Sequence, residues 1–187
     1  MGIGYQDTLI NSQIDGTAVT AAAATSCIPT AAKKTLPANY FDVIGKSIVI
    51  EATGRLSVAA TTPGTLRFDI RFGAVIVFDS QAIALVVTNA YTNIGWHLRI
   101  ILTARAIGGS TTANLFGQGT FTAPNVLGGA NVAMPIGGVV AMLPWNTAPA
   151  VGTGFDSTVS QQVDMFFTQT AATGSLTVHQ FAIYGVN

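Results

Sequence analysis

Charge is what this chain has least of. Charged side chains make up 9% of its 187 residues, against about 25% in an ordinary soluble domain. Eight basic and eight acidic residues leave a formal charge of zero. Lys33–Lys34 is the only adjacent basic pair. The clustered positive field that a phosphate backbone requires is therefore missing, and no nucleic-acid partner is expected. Cysteine is nearly absent: Cys27 stands alone, which excludes an intrachain disulfide and reads as small apolar filler. Asn-x-Ser/Thr sequons do not occur.

Long apolar runs are missing as well. No window of about 18 residues is free of Gly, Pro, Asn or Thr, so no membrane-spanning helix is expected. The uncharged stretch between Arg105 and Asp156 contains GGSTTANLFGQG and NTAPAVGTG, which do not suit lipid. The N-terminal MGIGYQDTLINSQIDG lacks the basic start and apolar middle of a secretory signal. Gln6 stands where the myristoylation pattern needs Ser or Thr.

Chemistry-bearing motifs are equally sparse. His97 and His179 have no ligand partner close in sequence, whereas zinc sites take three or four His, Cys or carboxylate ligands. No G-x-S-x-G elbow, no phosphate-cradling glycine loop and no calcium loop is present. GTGFD at 152–156 precedes a strand pattern and reads as a turn. No catalytic residue, metal or cofactor is expected, and the chain reads as a non-enzyme.

What the chain does have is alternation. In KSIVIEATGRLSV, Ile48, Ile50, Ala52, Leu56 and Val58 share one face and Val49, Glu51, Thr53 and Arg55 the other. TLRFDIRFGAVIVF alternates up to Gly73 and is then apolar on both faces; a glycine at that switch suggests a bulge or a close backbone approach. IALVV (83–87) reads as a short buried strand. IGWHLRIILTARAI puts Trp96, Leu98, Ile100 and Leu102 on one face, with Ile101 interrupting the polar set. ANLFGQGTF, a weaker NVAMPIGGVVAML, TVSQQVDMFFTQT and SLTVHQFAIYGV follow, with Gly, Pro, Thr and Ser in nearly every connection. Helical stripes of ordinary length are missing. Eight or nine strands at such spacing predict an antiparallel two-sheet β-sandwich of jelly-roll type. The domain is expected over 46–187. Residues 1–45, with the AVTAAAA run readable as helix or as edge strand, are expected to form an extended arm.

TPGTLRFDIRFG gathers Arg67, Asp69 and Arg71 on one face of a strand. If 46–58 and 65–78 form a hairpin, Arg55 stands opposite Asp69 and Thr53 opposite Arg71, with Glu51 diagonal to Arg71: a ladder of opposite signs. That face reads either as a solvated surface that secures register or as a contact for a neighbouring subunit. Trp145, in LPWNTAP, reads as a large aromatic in an exposed loop. Lys33, Lys34, Arg67, Asp69, Arg71 and Trp145 are therefore the candidate interface residues. Trp96, Trp145, Tyr91 and Tyr40 are candidates for a sugar-stacking platform, or for core and interface anchors.

Four segments together carry a resemblance: TLPANYFDVIGKSIVIEATGRLS (35–57), TPGTLRFDIRFGAVIVF (62–78), WHLRIILTARAIG (96–108) and GTGFDSTVSQQVDMFFTQT (152–170). In order and spacing they resemble a family of tailed-bacteriophage virion proteins with a jelly-roll domain, most like capsid decoration, or cement, proteins. The arm and NVLGGANVAMPIGG match it less well. The resemblance implies a protein made in the host cytoplasm and placed on the outer capsid surface. It implies binding to the major capsid protein across shell junctions, as a homo-oligomer, often a trimer. Related jelly rolls in head fibres and tail tips keep a second expectation open, a receptor- or glycan-binding module.

Overall fold

Segments with one apolar and one polar face can hide the apolar one only by layering. The computed structural model describes residues 6–128 and 138–186. Among them lie β1 (Gln6–Asn11), β2 (Thr25–Ser26), β3 (Thr35–Leu36), β4 (Ser47–Val58), β5 (Thr65–Phe72) and β6 (Val75–Asp79). They are followed by β7 (Ile83–Ala84), β8 (Tyr91–Ala106), β9 (Asn114–Pro124), β10 (Gly138–Leu143), β11 (Gln161–Gln169) and β12 (Ser175–Val186). The described residues contain one 3-10 turn, Thr30–Ala32, and no α-helix. Every pairing among the described strands is antiparallel. The first sheet runs β1-β12-β4-β8-β9-β10; the second runs β2-β11-β5-β6, with β3 on β11 and β7 on β5. The two-sheet antiparallel sandwich is as the alternation predicts. Of the expected jelly roll it can be said that β8, β9 and β10 run as a meander within one sheet. The myristoylation reading at the N-terminus and the NVAMPIG part of the NVAMPIGGVVAML strand fall on residues 1–5 and 131–137, outside the described residues.

The inner faces are the ones alternation marks. Ile48, Ile50, Leu98, Ile100 and Leu102 from the first sheet meet Leu66, Phe68, Ile70, Val163 and Phe167 from the second, all buried. Phe68 is the hinge of this contact. Its ring centroid lies 5.2 Å from Phe121, 5.6 Å from Phe167 and 5.8 Å from Trp96, within the range of favourable aromatic pairs. At the other end of the sandwich Phe72 meets Phe155 edge-on at 4.9 Å, and Phe41 lies 6.0 Å from both. Trp96 is thus a core residue with 4% exposure, which removes it from any sugar platform.

The hairpin expected between 46–58 and 65–78 does not form. β4 lies between β12 and β8, while β5 lies between β11 and β6 in the other sheet. The physical reason is geometric. A hairpin would leave both apolar faces on the same side of one sheet, whereas a crossover at 59–64 turns them toward each other. The expected charge ladder falls with it: Arg55 pairs with Thr177 and Gly95, and Glu51 with Ala182 and Arg99. Gly73 is also neither a bulge nor a close approach. Its φ of +57° makes the tight turn between β5 and β6, with open space where a side chain would be.

Residues 6–45, the described part of the expected arm, lie along the open side of the sandwich. β1 pairs with β12, and a bridge joins Val19 to Leu176. After the exposed Ala21–Ala24, which forms neither helix nor strand, the chain passes to the second sheet. There Thr25–Ser26 and Thr35–Leu36 pair with β11. Cys27, Ile28, Ala32, Leu36 and Phe41 enter the core. The Cys27 thiol donates to the Met165 carbonyl at 3.3 Å, and burial pushes its pKa well above the usual thiol range, so the reactive thiolate is disfavoured.

On the rim, Asp156 accepts from the Thr158 hydroxyl at 2.6 Å and from the Ser110 N–H at 2.9 Å. These bonds, the Thr158 hydroxyl first, hold its carboxyl below the ordinary aspartate range. Because the folded value lies below the unfolded one, the contribution is complete above the ordinary aspartate range and is lost as pH falls through the folded value. Asp156→Asn is expected to flatten this acid limb of the stability curve, read from urea midpoints at successive pH values. Phe68→Ala should cost about 3–5 kcal/mol in denaturant unfolding; a loss below about 1 kcal/mol would place the core elsewhere.

Candidate functional site

Each sheet has an outer face, and the two differ in kind. On the second sheet, the polar positions of β5 stand between β11 and β6. Asp69 is directly opposite Asp79, a like-charge pairing that is unfavourable by itself. Arg67 resolves it, with Nη2 2.5 Å from Asp79 Oδ2 and Nε 3.2 Å from Asp69 Oδ1. Arg71 Nη2 donates to the other Asp69 oxygen at 2.9 Å, and its guanidinium lies 3.8 Å from the Phe166 ring centroid. Burial works against the charge of Arg67, but the Asp79 hydrogen bond and the Asp69 and Asp79 charges raise its pKa above the ordinary value.

One register step away, Asp164 faces Arg71. Its carboxylate takes Lys33 Nζ at 2.6 Å on one oxygen and the Ser26 hydroxyl at 2.8 Å on the other. These three cations and three carboxylates form two groups: Arg67, Arg71, Asp69 and Asp79 join β5 to β6, Lys33 and Asp164 join the 25–34 segment to β11, and the Arg71–Phe166 contact links β5 to β11. Four of the six candidate residues, Lys33, Arg67, Asp69 and Arg71, lie in this network, and their charges are spent on one another. Lys34 contributes its carbonyl, which accepts from the Val163 N–H at 2.8 Å. Trp145 stands apart: it is partly buried against the core, with its backbone N–H bonded to the Ser80 carbonyl at 2.7 Å.

The first sheet presents a broader face. Register alone builds its rows. Asn11, Ala182, Glu51, Arg99, Thr120 and Met142 stand side by side across all six strands. The next row is Gln180, Thr53, His97, Thr122 and Val140. The central ion pair, Arg99 Nε to Glu51 Oε1 at 2.9 Å, is exposed and satisfied. Toward β10 the face turns apolar: Val140 is 56% exposed, Met142 62% and the neighbouring Ile101 38%. Toward β1 it turns polar, around a shallow depression lined by Asn11, Glu51, Thr53, His97, Gln180 and Tyr184. His179, the extra residue at a bulge in β12, points away to Asp15, Nδ1 to Oδ2 at 3.0 Å. Among the described residues no three His, Cys, Asp or Glu side chains group so as to hold a metal.

No family model matches this chain, and no curated protein does. Among solved structures that match is the "CBM2 module of Lactobacillus casei BL23 phage J-1 evolved Dit", with 98% of this chain and 97% of that one covered, 10% identity and a TM-score of 0.39. At that identity and score the similarity does not bear on function.

The outer face of the first sheet was half visible in the sequence. Alternation put Glu51, Thr53, His97 and Arg99 outward and flagged Ile101 as out of pattern. Asn11, Gln180, Tyr184, Val140 and Met142 carried no signal, because strand order decides their neighbours.

Asp164 holds the N-terminal segment from below at 6% exposure. Asp164→Asn should lower unfolding stability by about 1–3 kcal/mol, as loss of hydrogen bonds to a charged group does. It should also speed proteolysis within 20–36. Glu51→Gln, at an exposed pair, should cost about 0–1 kcal/mol.

Proposed function

We propose that this chain is a non-enzymatic structural protein of a phage virion, a decoration protein that lies on the outer capsid surface and binds the major capsid protein. The sequence resemblance supplies the setting. The observation that carries the mode of action is the outer face of the first sheet, wide, sparsely charged and apolar toward β10.

Six strands at about 4.8 Å spacing make a face about 25 Å across. That accommodates the roughly 800 Å² per partner of a stable protein contact. Its central charges, Glu51 and Arg99, are paired within the face, and the exposed Arg55 and Arg105 stand toward the strand ends, where they can stay in water. Ile101, Val140 and Met142 supply the apolar anchor, and the hydroxyls of Thr120 and Thr122 the satisfiable rim. A protein bound this way only to the assembled shell stabilises that shell by mass action. Trimerisation is part of the same proposal, since a neutral surface does not keep copies apart.

Met142→Lys and Val140→Lys place an ammonium on the apolar end without touching the core. Both should keep the wild-type unfolding midpoint yet load onto undecorated particles at least about tenfold more weakly. Loaded wild-type protein should raise the temperature at which the shells open, and native particles should carry hundreds of copies. A copy number of a few to a few dozen would instead support the fibre or tail reading, and unchanged loading of both variants would remove this face from the contact.

A further inference from the structure

Ala182 is the smallest side chain in its neighbourhood on the outer face, and every neighbour is larger and polar. Asn11 stands on one side of it and Glu51 on the other, in register. Gln180 and Tyr184 stand two residues before and after it on β12. Directly opposed residues are about 5 Å apart at Cβ, and alternate residues along a strand about 6.6 Å. The missing side-chain volume therefore leaves a depression of about 200 Å³ with Ala182 in its floor. Thr53 and His97 close one corner. The bulge at His179 bends β12 beside it.

We propose that this depression is a binding subsite for a neutral saccharide unit. Its chemistry selects that class. Phosphate is disfavoured by the Glu51 carboxylate in the lining, to which the neighbouring Arg99 is already bound. An apolar ligand would bury amide and carboxylate heads without partners. A sugar ring has hydroxyls that donate and accept, and one apolar face. Glu51 Oε1 is taken by Arg99, which leaves Oε2 to accept. Thr53 donates to Gln180 Oε1 at 3.2 Å, which turns the Gln180 amide NH₂ outward as a donor. Asn11 offers both a donor and an acceptor. The half-buried Tyr184 ring supplies the apolar wall against which a sugar face packs. The site stands apart from the Ile101, Val140 and Met142 end of the face, so it does not rest on the virion contact proposed above.

The test is NMR titration of the isolated full-length chain, ¹⁵N-labelled, with glucose, galactose, rhamnose and N-acetylglucosamine. At least one sugar should move the amides of Asn11, Glu51, Thr53, Gln180 and Tyr184 with millimolar affinity. Ala182→Leu, which fills the floor, should abolish these shifts while the rest of the spectrum stays in place. Gln180→Ala, at an exposed position, should weaken binding roughly five- to tenfold for one lost hydrogen bond. Unmoved amides with all four sugars would overturn the proposal. So would shifts that survive both variants, or shifts given only by a neutral Ser-Gly-Ser peptide.

Discussion

The contact on which everything else depends is the closure of two apolar sheet faces over Phe68. Its ring touches aromatic partners from both layers, Trp96 and Phe121 from one and Phe167 from the other. An aromatic side chain placed there joins strands far apart in the chain. Because burial is supplied by the inward faces, the outward faces are free to be polar, neutral and adapted to something else. Among the described residues no α-helix covers the outer face of either sheet.

The few charges are distributed unevenly between the two faces. On the second sheet they are spent internally: Arg67 bridges two aspartates that face each other, and Asp164 pins the segment that carries Lys33 and Ser26. This network works as lateral stitching, fixing the register of β5, β6 and β11 and holding the N-terminal segment where it seals the open side. On the first sheet the Glu51–Arg99 pair sits among hydroxyls and amides, with Arg55 and Arg105 exposed toward the strand ends, an apolar end and a polar, pitted end. In the proposed reading the two ends take different partners, a protein surface and a small polyhydroxyl ligand, and neither contact reaches the core.

Much of this was legible in the residues, and what was not follows a physical pattern. Alternation told inside from outside correctly for Ile48, Ile50, Leu98, Ile100 and Leu102, all fully buried, and so gave the two-layer class. It could not tell which strand lies beside which, since a hairpin and a crossover between 46–58 and 65–78 hide the same residues. The charge ladder was therefore assigned to the wrong pairs, although opposite charges do face each other in the fold, Glu51 with Arg99 and Asp164 with Arg71. Gly73 was noticed for the right reason, a broken pattern, but only the backbone shows that it turns the chain. Trp96 alternated with its apolar neighbours and belonged to the core from the start. The depression around Ala182 had no sequence signature because an alanine becomes a site only when four strands bring larger residues around it.

If the two sheets are locked by one shared core, they must open together. Amide hydrogen exchange on the isolated chain reads this directly. The account predicts that the central strands β4, β8, β5 and β11 exchange slowest and with a common opening free energy. One sheet exchanging freely while the other stays protected would contradict it.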